Sequence, residues 1–162
     1  MSATRRDALK VLAATTSLPF AAQAATEPKN FTAEEFAVLS RLSDLILPRT
    51  DTPGAVDAGV PAILDEAAGR SPALWDTLRE GVASLGGAKF LSQSEAGQNE
   101  AVRRISGLDG AAPAPFFTAL KNQVIDAYYS TREGLVTELG YHGNVPLAEF
   151  PGCTHPEHQR LD

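Results

Sequence analysis

The sequence is short of several things, and each shortage removes a class of function. One cysteine in 162 residues excludes an intramolecular disulfide, an iron–sulfur cluster held by cysteines alone and the Cys-x-x-Cys-His attachment of a c-type haem. Positive charge is scarce: 14 Lys and Arg against 20 Asp and Glu give a net charge of −6. A protein that wraps DNA or RNA needs a basic surface to meet phosphate, so no nucleic-acid partner is expected. No Gly-x-Gly-x-x-Gly occurs, and with it the dinucleotide fingerprint is missing. The run Gly81 to Lys89 has the glycines of a phosphate loop but lacks Lys-Ser/Thr after the second. Its glycines fall where a helix ends, the place where a C-cap wants them. Period-two runs of β-branched residues are absent too, which leaves an all-α domain as the expectation.

What remains has the composition of an ordinary globular chain, 43% hydrophobic and 21% charged, of a size for one domain. Residues 1–24 read as a secretory signal: a basic start, a mildly apolar middle and the small-x-small end Ala22-Gln23-Ala24. Val11 to Ala24 is too short, and too rich in Ala, Thr and Ser, for a membrane span. Thr4-Arg5-Arg6-Asp7-Ala8-Leu9-Lys10 is similar to the twin-arginine export pattern, with Ala8 where that pattern prefers Phe. Arg5 and Arg6 are therefore the expected export residues. Because the twin-arginine route carries proteins already folded, a periplasmic protein exported with a bound partner or cofactor is expected. Cleavage after Ala24 would leave 25–162 as a single helical domain, more acidic than the precursor.

Along that domain the helix signals recur. Thr32-Ala33-Glu34-Glu35 is a capping box, and Phe36, Leu39, Leu42 and Ile46 follow at helical spacing until Pro48 ends the pattern. Arg49 to Pro61 holds two prolines and two glycines and reads as an ordered loop, with a short helix expected over Ala62 to Ala68. Ser71-Pro72 opens a helix whose stripe is Trp75, Leu78, Val82 and Leu85, closed by Gly86-Gly87. Ser92-Gln93-Ser94-Glu95 offers a second box for a polar helix to Gly107, with Val102 and Ile105 inward. After a Pro/Ala linker, Phe117, Leu120, Val124 and Tyr128 share one face of the strongest helix. Ser130-Thr131-Arg132-Glu133 offers a further box before Leu135, Val136 and Leu139, and 141–162 reads as an irregular tail. The expected architecture is a compact bundle of about five to six helices with one irregular Pro/Gly loop.

No catalytic constellation stands out. Asp44, Asp51, Asp57 and Asp65 are spread over helix and loop, as caps or solvated groups would be. Phe116, Phe117, Tyr128, Tyr129 and Tyr141 read mainly as core, with Tyr129 and Tyr141 suited to an interface rim where ring and hydroxyl are both used. Cys153, His155 and His158 are soft and borderline metal ligands in a compact run, Cys-x-His-x-x-His, to which Glu157 could add a fourth. The spacing does not match paired structural zinc ligands. The alternative is a polar tail lying on a partner protein, and the sequence leaves both open, including a free-standing periplasmic metal-binding protein or metalloenzyme.

Asp44-Leu45-Ile46-Leu47-Pro48, Thr52-Pro53-Gly54-Ala55 and Ala58-Gly59-Val60-Pro61 together resemble the gluconate 2-dehydrogenase subunit 3 family. So do Tyr128-Tyr129-Ser130-Thr131-Arg132-Glu133-Gly134, Glu138-Leu139-Gly140-Tyr141 and the closing Pro151-Gly152-Cys153. The resemblance implies a small accessory subunit without a cofactor of its own. Its implied partner is a large FAD-dependent dehydrogenase of the glucose–methanol–choline class that oxidises gluconate, fructose or a glucoside. A c-type cytochrome carrying haem c is implied as a further partner that takes the electrons onward to the quinone pool, with membrane association only through partners, and the twin-arginine translocase as the exporter of the folded pair. Contacts to the flavoprotein are then expected from Pro48, Thr52, Pro53, Gly54, Val60 and Pro61 in the loop, from Tyr129 and Tyr141, and from Pro151 in the tail.

Overall fold

The computed structural model of the chain describes residues 27–143. The first helix, α1 (Ala33–Ile46), starts where Thr32 and Glu35 cap each other reciprocally. The Thr32 amide donates to Glu35 Oε2 at 2.9 Å, and the Glu35 amide donates to Thr32 Oγ1 at 3.2 Å. Burial pushes the Glu35 carboxyl up, but hydrogen bonds from Arg79 and from Thr32 outweigh it and hold the group below its ordinary value. Val38, Leu39 and Leu42 are buried on the inner face beside Ser43, whose hydroxyl is satisfied by donating to the Leu39 carbonyl at 2.8 Å.

The irregular segment after Pro48 ends earlier than the sequence suggests. Helix α2 (Val60–Arg70) begins at Val60, with Pro61 in its first turn. Gly59 precedes it at φ 75°, a left-handed backbone that suits glycine. Val60 and Pro61 are thus helical and buried, not loop residues.

Helix α3 (Pro72–Ser84) is capped by Ser71, as expected, and buries Leu78 and Val82. The four-residue helix α4 (Ala88–Leu91), which the Gly86-Gly87 stop signal hid, exists to place Phe90 in the core at 0% exposure. The second box is shifted: Ser94, not Ser92, caps α5 (Glu95–Ser106), accepting from the Gly97 amide at 3.3 Å. Ser92 closes α4 instead. Helix α6 (Pro115–Tyr129) buries Phe116, Phe117, Leu120, Val124 and Tyr128. The third box is not used; Glu133–Glu138 forms a π-helical segment without a side-chain cap. Gly134 lies so close under the end of α6 that a Cβ there would stand 2.3 Å from the Tyr128 carbonyl oxygen. Leu139, just past that segment, is 59% exposed.

Among the described residues the fold is six α-helices and one π-helical segment, with no strand, which bears out the all-α expectation. Helix α1 is central and packs against each of the other five α-helices. Helices α3 and α6 meet at Gly81, where a Cβ would fall 1.9 Å from the Phe116 ring; only hydrogen allows that approach. Two buried polar groups stitch the bundle. The Gln98 side-chain amide donates to the carbonyls of Phe90, Leu91 and Gln93 and its oxygen accepts from Arg41 at 2.7 Å. Asp65, 3% exposed, is neither the helix cap nor the solvated group the sequence suggests. It accepts the backbone N–H groups of Lys29, Asn30 and Phe31 at 2.8, 3.0 and 3.1 Å, fixing the lead-in to α1. Trp75 Nε1 donates to the Asn30 carbonyl at 3.0 Å and secures the same segment from α3. No helix among the described residues is long and apolar enough to cross a membrane.

Candidate partner-binding site

The Pro/Gly loop folds back on itself before it meets anything else. Arg49 grips Asp57 with two nitrogens, Nε on Oδ2 at 2.8 Å and Nη2 on Oδ1 at 2.5 Å, and the Gly54 amide donates to the same carboxylate at 3.0 Å. This fork holds the Asp57 carboxyl below its ordinary value and the guanidinium above its own. The Ala55 amide donates to the Leu47 carbonyl at 2.9 Å, closing the loop across its neck. Gly54 is needed at that closure, since a Cβ would meet the Arg49 amide nitrogen at 2.6 Å.

Thus stiffened, the loop is tied to the far end of the chain. Tyr128 at the end of α6 donates its hydroxyl to the Pro53 carbonyl at 2.6 Å, and Thr52 donates its hydroxyl to Glu138 Oε2. Between these ties lies a hollow of about 210 Å³ lined by Leu47, Pro48, Thr50, Thr52, Pro53, Gly54, Tyr128, Tyr129 and Glu138. The rings of Tyr128 and Tyr129 stand 5.3 Å apart at 79°, an edge-to-face pair. Burial pushes the Tyr128 phenol up; the Thr52 hydroxyl pulls it back, and the carboxylates of Glu138 and Glu133 push it further up.

The hollow gathers five of the residues expected to meet a partner: Pro48, Thr52, Pro53, Gly54 and Tyr129. Tyr141 does not line it but lies near its lip in the chain, 42% exposed, its amide donating to the Leu135 carbonyl at 3.0 Å. Val60 does not join them. It is 0% exposed in the core and has no surface to offer, and Pro61 beside it is buried in α2. Sequence reasoning missed Glu138 as a site residue and read Tyr128 as core alone. Nothing in the sequence links Thr52 to a carboxylate 86 positions away. Arg5, Arg6, Pro151, Cys153, His155 and His158 lie outside the described residues. Among the described residues no group of three His, Cys, Asp or Glu side chains could hold a metal ion.

The model of the gluconate 2-dehydrogenase subunit 3 family matches residues 33–146, from the first residue of α1 to beyond the π-helical segment. The chain belongs to this family. The family is that of an accessory subunit of a dehydrogenase complex, so membership implies a catalytic partner. The match takes in every residue lining the hollow and leaves out the expected signal and most of the tail. No curated protein and no solved structure matches the chain.

Proposed function

We propose that this chain is the small accessory subunit of a periplasmic, FAD-dependent sugar or polyol dehydrogenase, bound to a large flavoprotein of the glucose–methanol–choline class. The observation that carries this reading is the family match over the whole helical domain. In it the flavoprotein holds FAD and oxidises gluconate, fructose or a glucoside, and a c-type cytochrome takes the electrons onward. This subunit steadies the flavoprotein and carries it, folded, through the twin-arginine translocase by way of Arg5 and Arg6. Support for the binding role comes from the rigid loop and the hollow it forms with α6: irregular segments held on a helical scaffold are favoured places for recognition.

Co-expression of the full-length tagged chain with its flavoprotein, followed by capture from a periplasmic extract, tests the reading. A stoichiometric yellow partner with dye-linked sugar oxidation is the expected result, and an Arg5→Lys, Arg6→Lys precursor should leave both subunits in the cytoplasm. A colourless lone chain that retains zinc would overturn it in favour of a metal site at Cys153, His155 and His158.

A further inference from the structure

The hollow has a chemical character beyond its shape. Two tyrosine rings and three apolar residues, Leu47, Pro48 and Pro53, line it, and one carboxylate stands at its lip. Glu138 spends Oε2 on the Thr52 hydroxyl, while Oε1 has no partner among the described residues. The Tyr129 hydroxyl likewise has no hydrogen-bond partner among them. Glu138 is an exposed residue, and the Tyr129 hydroxyl reaches solvent, since no buried side-chain polar atom of a partly buried residue is left without a partner among the described residues. Glu133 adds a second negative charge close enough to act on the Tyr128 phenol. Beyond Glu138 the chain presents Leu139 and Tyr141, 59% and 42% exposed. The neighbouring cation Arg49 is already committed to Asp57.

An aromatic wall, a carboxylate with a free oxygen and a phenol acceptor together suit a planar cation. A guanidinium can stack on tyrosine while its fork meets a carboxylate, which the compact, strongly hydrated ammonium of lysine does less well. We propose that the hollow bounded by Pro48, Pro53, Tyr128, Tyr129 and Glu138 receives an arginine side chain of the catalytic flavoprotein. The exposed Leu139 and Tyr141 cover the apolar surface around that arginine. The inference rests on the accessory-subunit reading and names the chemistry by which the partner is recognised.

The test uses full-length subunit co-expressed with its flavoprotein, comparing wild type with Glu138→Gln and Tyr129→Leu. Glutamine keeps an acceptor for Thr52 while removing the charge, so the thermal midpoint of the free subunit should stay within about 2 °C of wild type. Each variant should weaken the complex roughly tenfold, the order expected for one desolvated cation–π or charge-assisted contact. Complex formation by wild type should weaken as salt rises from about 0.05 to 0.5 M, and Glu138→Gln should lose most of that dependence. A wild-type subunit that captures no flavoprotein overturns the accessory-subunit reading and this one with it. Capture that is normal in wild type and unchanged in affinity and salt dependence in both variants overturns only the arginine site. Equal, non-additive losses of thermal midpoint in free Glu138→Gln and Arg160→Ala subunits would place the chain's own tail in the hollow, which also overturns it.

Discussion

Replacing Asp65 with alanine removes an anchor rather than a charge on the surface. The carboxylate accepts three consecutive backbone N–H groups at 2.8–3.1 Å, and a bond to an ionised acceptor contributes more than one to a neutral oxygen. The Phe31 amide is buried, so its loss is felt nearly in full, at about 1.5 kcal/mol; the half-buried Lys29 and Asn30 amides recover part of theirs from water, leaving about 0.75 kcal/mol each. The sum is about 3 kcal/mol, or roughly 10 °C in thermal midpoint for a domain of this size. The Asn30 side chain, which donates to the Asp65 backbone carbonyl at 2.8 Å, is untouched by the substitution and limits the loss. Asp65→Asn, which keeps one acceptor oxygen, should lie between alanine and wild type. Thermal unfolding of the chain followed by circular dichroism gives the midpoint. Amide exchange at Lys29, Asn30 and Phe31 should accelerate in the variant well before the helices respond. A midpoint shift under about 2 °C, or unchanged exchange at those three amides, would refute the reasoning that the carboxylate fixes the lead-in.

Three further outcomes are expected. Gly81→Ala should destabilise by about 1–3 kcal/mol, because its Cβ would sit 1.9 Å from the Phe116 ring; combining it with Phe116→Leu should restore part of the loss, as denaturant melts would read. Val60→Asp should abolish cooperative unfolding, since it puts a carboxylate at a position with 0% exposure, whereas Tyr141→Asp should leave the melt intact. Tyr128→Phe should cost about 1 kcal/mol through loss of the bond to Pro53. The raised Tyr128 phenol is neutral in the fold, so its contribution is full below the ordinary value of 10.0 and fades as pH climbs from there through the higher folded value. The phenylalanine variant should therefore show a flatter alkaline limb in a pH–stability profile.

The helix starts that were legible in the sequence share one cause, a local hydrogen bond within four residues. Thr32 with Glu35 and Ser71 before Pro72 carry their own caps, so tertiary packing had nothing to override. The misreadings also share a cause. Ser92 has the box spacing to Glu95, but it closes α4 just after the turn that buries Phe90, and the cap falls to Ser94, which has no Glu or Gln three residues on. Val60 reads as loop in the sequence because glycine and proline surround it, yet Pro61 is at home in a first helical turn. At the candidate site the loop residues were visible through their prolines and glycines. Glu138 was not, because the contact that gives it a place spans 86 positions and leaves no periodic trace. The role of Asp65 is hidden for the same reason: its partners are backbone amides 34 to 36 residues away, and backbone amides have no sequence signature.

The two ties across the hollow have a kinetic meaning as well. Tyr128 to Pro53 spans 75 residues and Thr52 to Glu138 spans 86, so both contacts close long loops and carry an entropic cost that local helices do not. A chain whose helices have formed but whose ends have not docked would have no such concavity. Whatever engages that surface thereby discriminates finished molecules from nascent ones, and an arrested folding intermediate would be invisible to it.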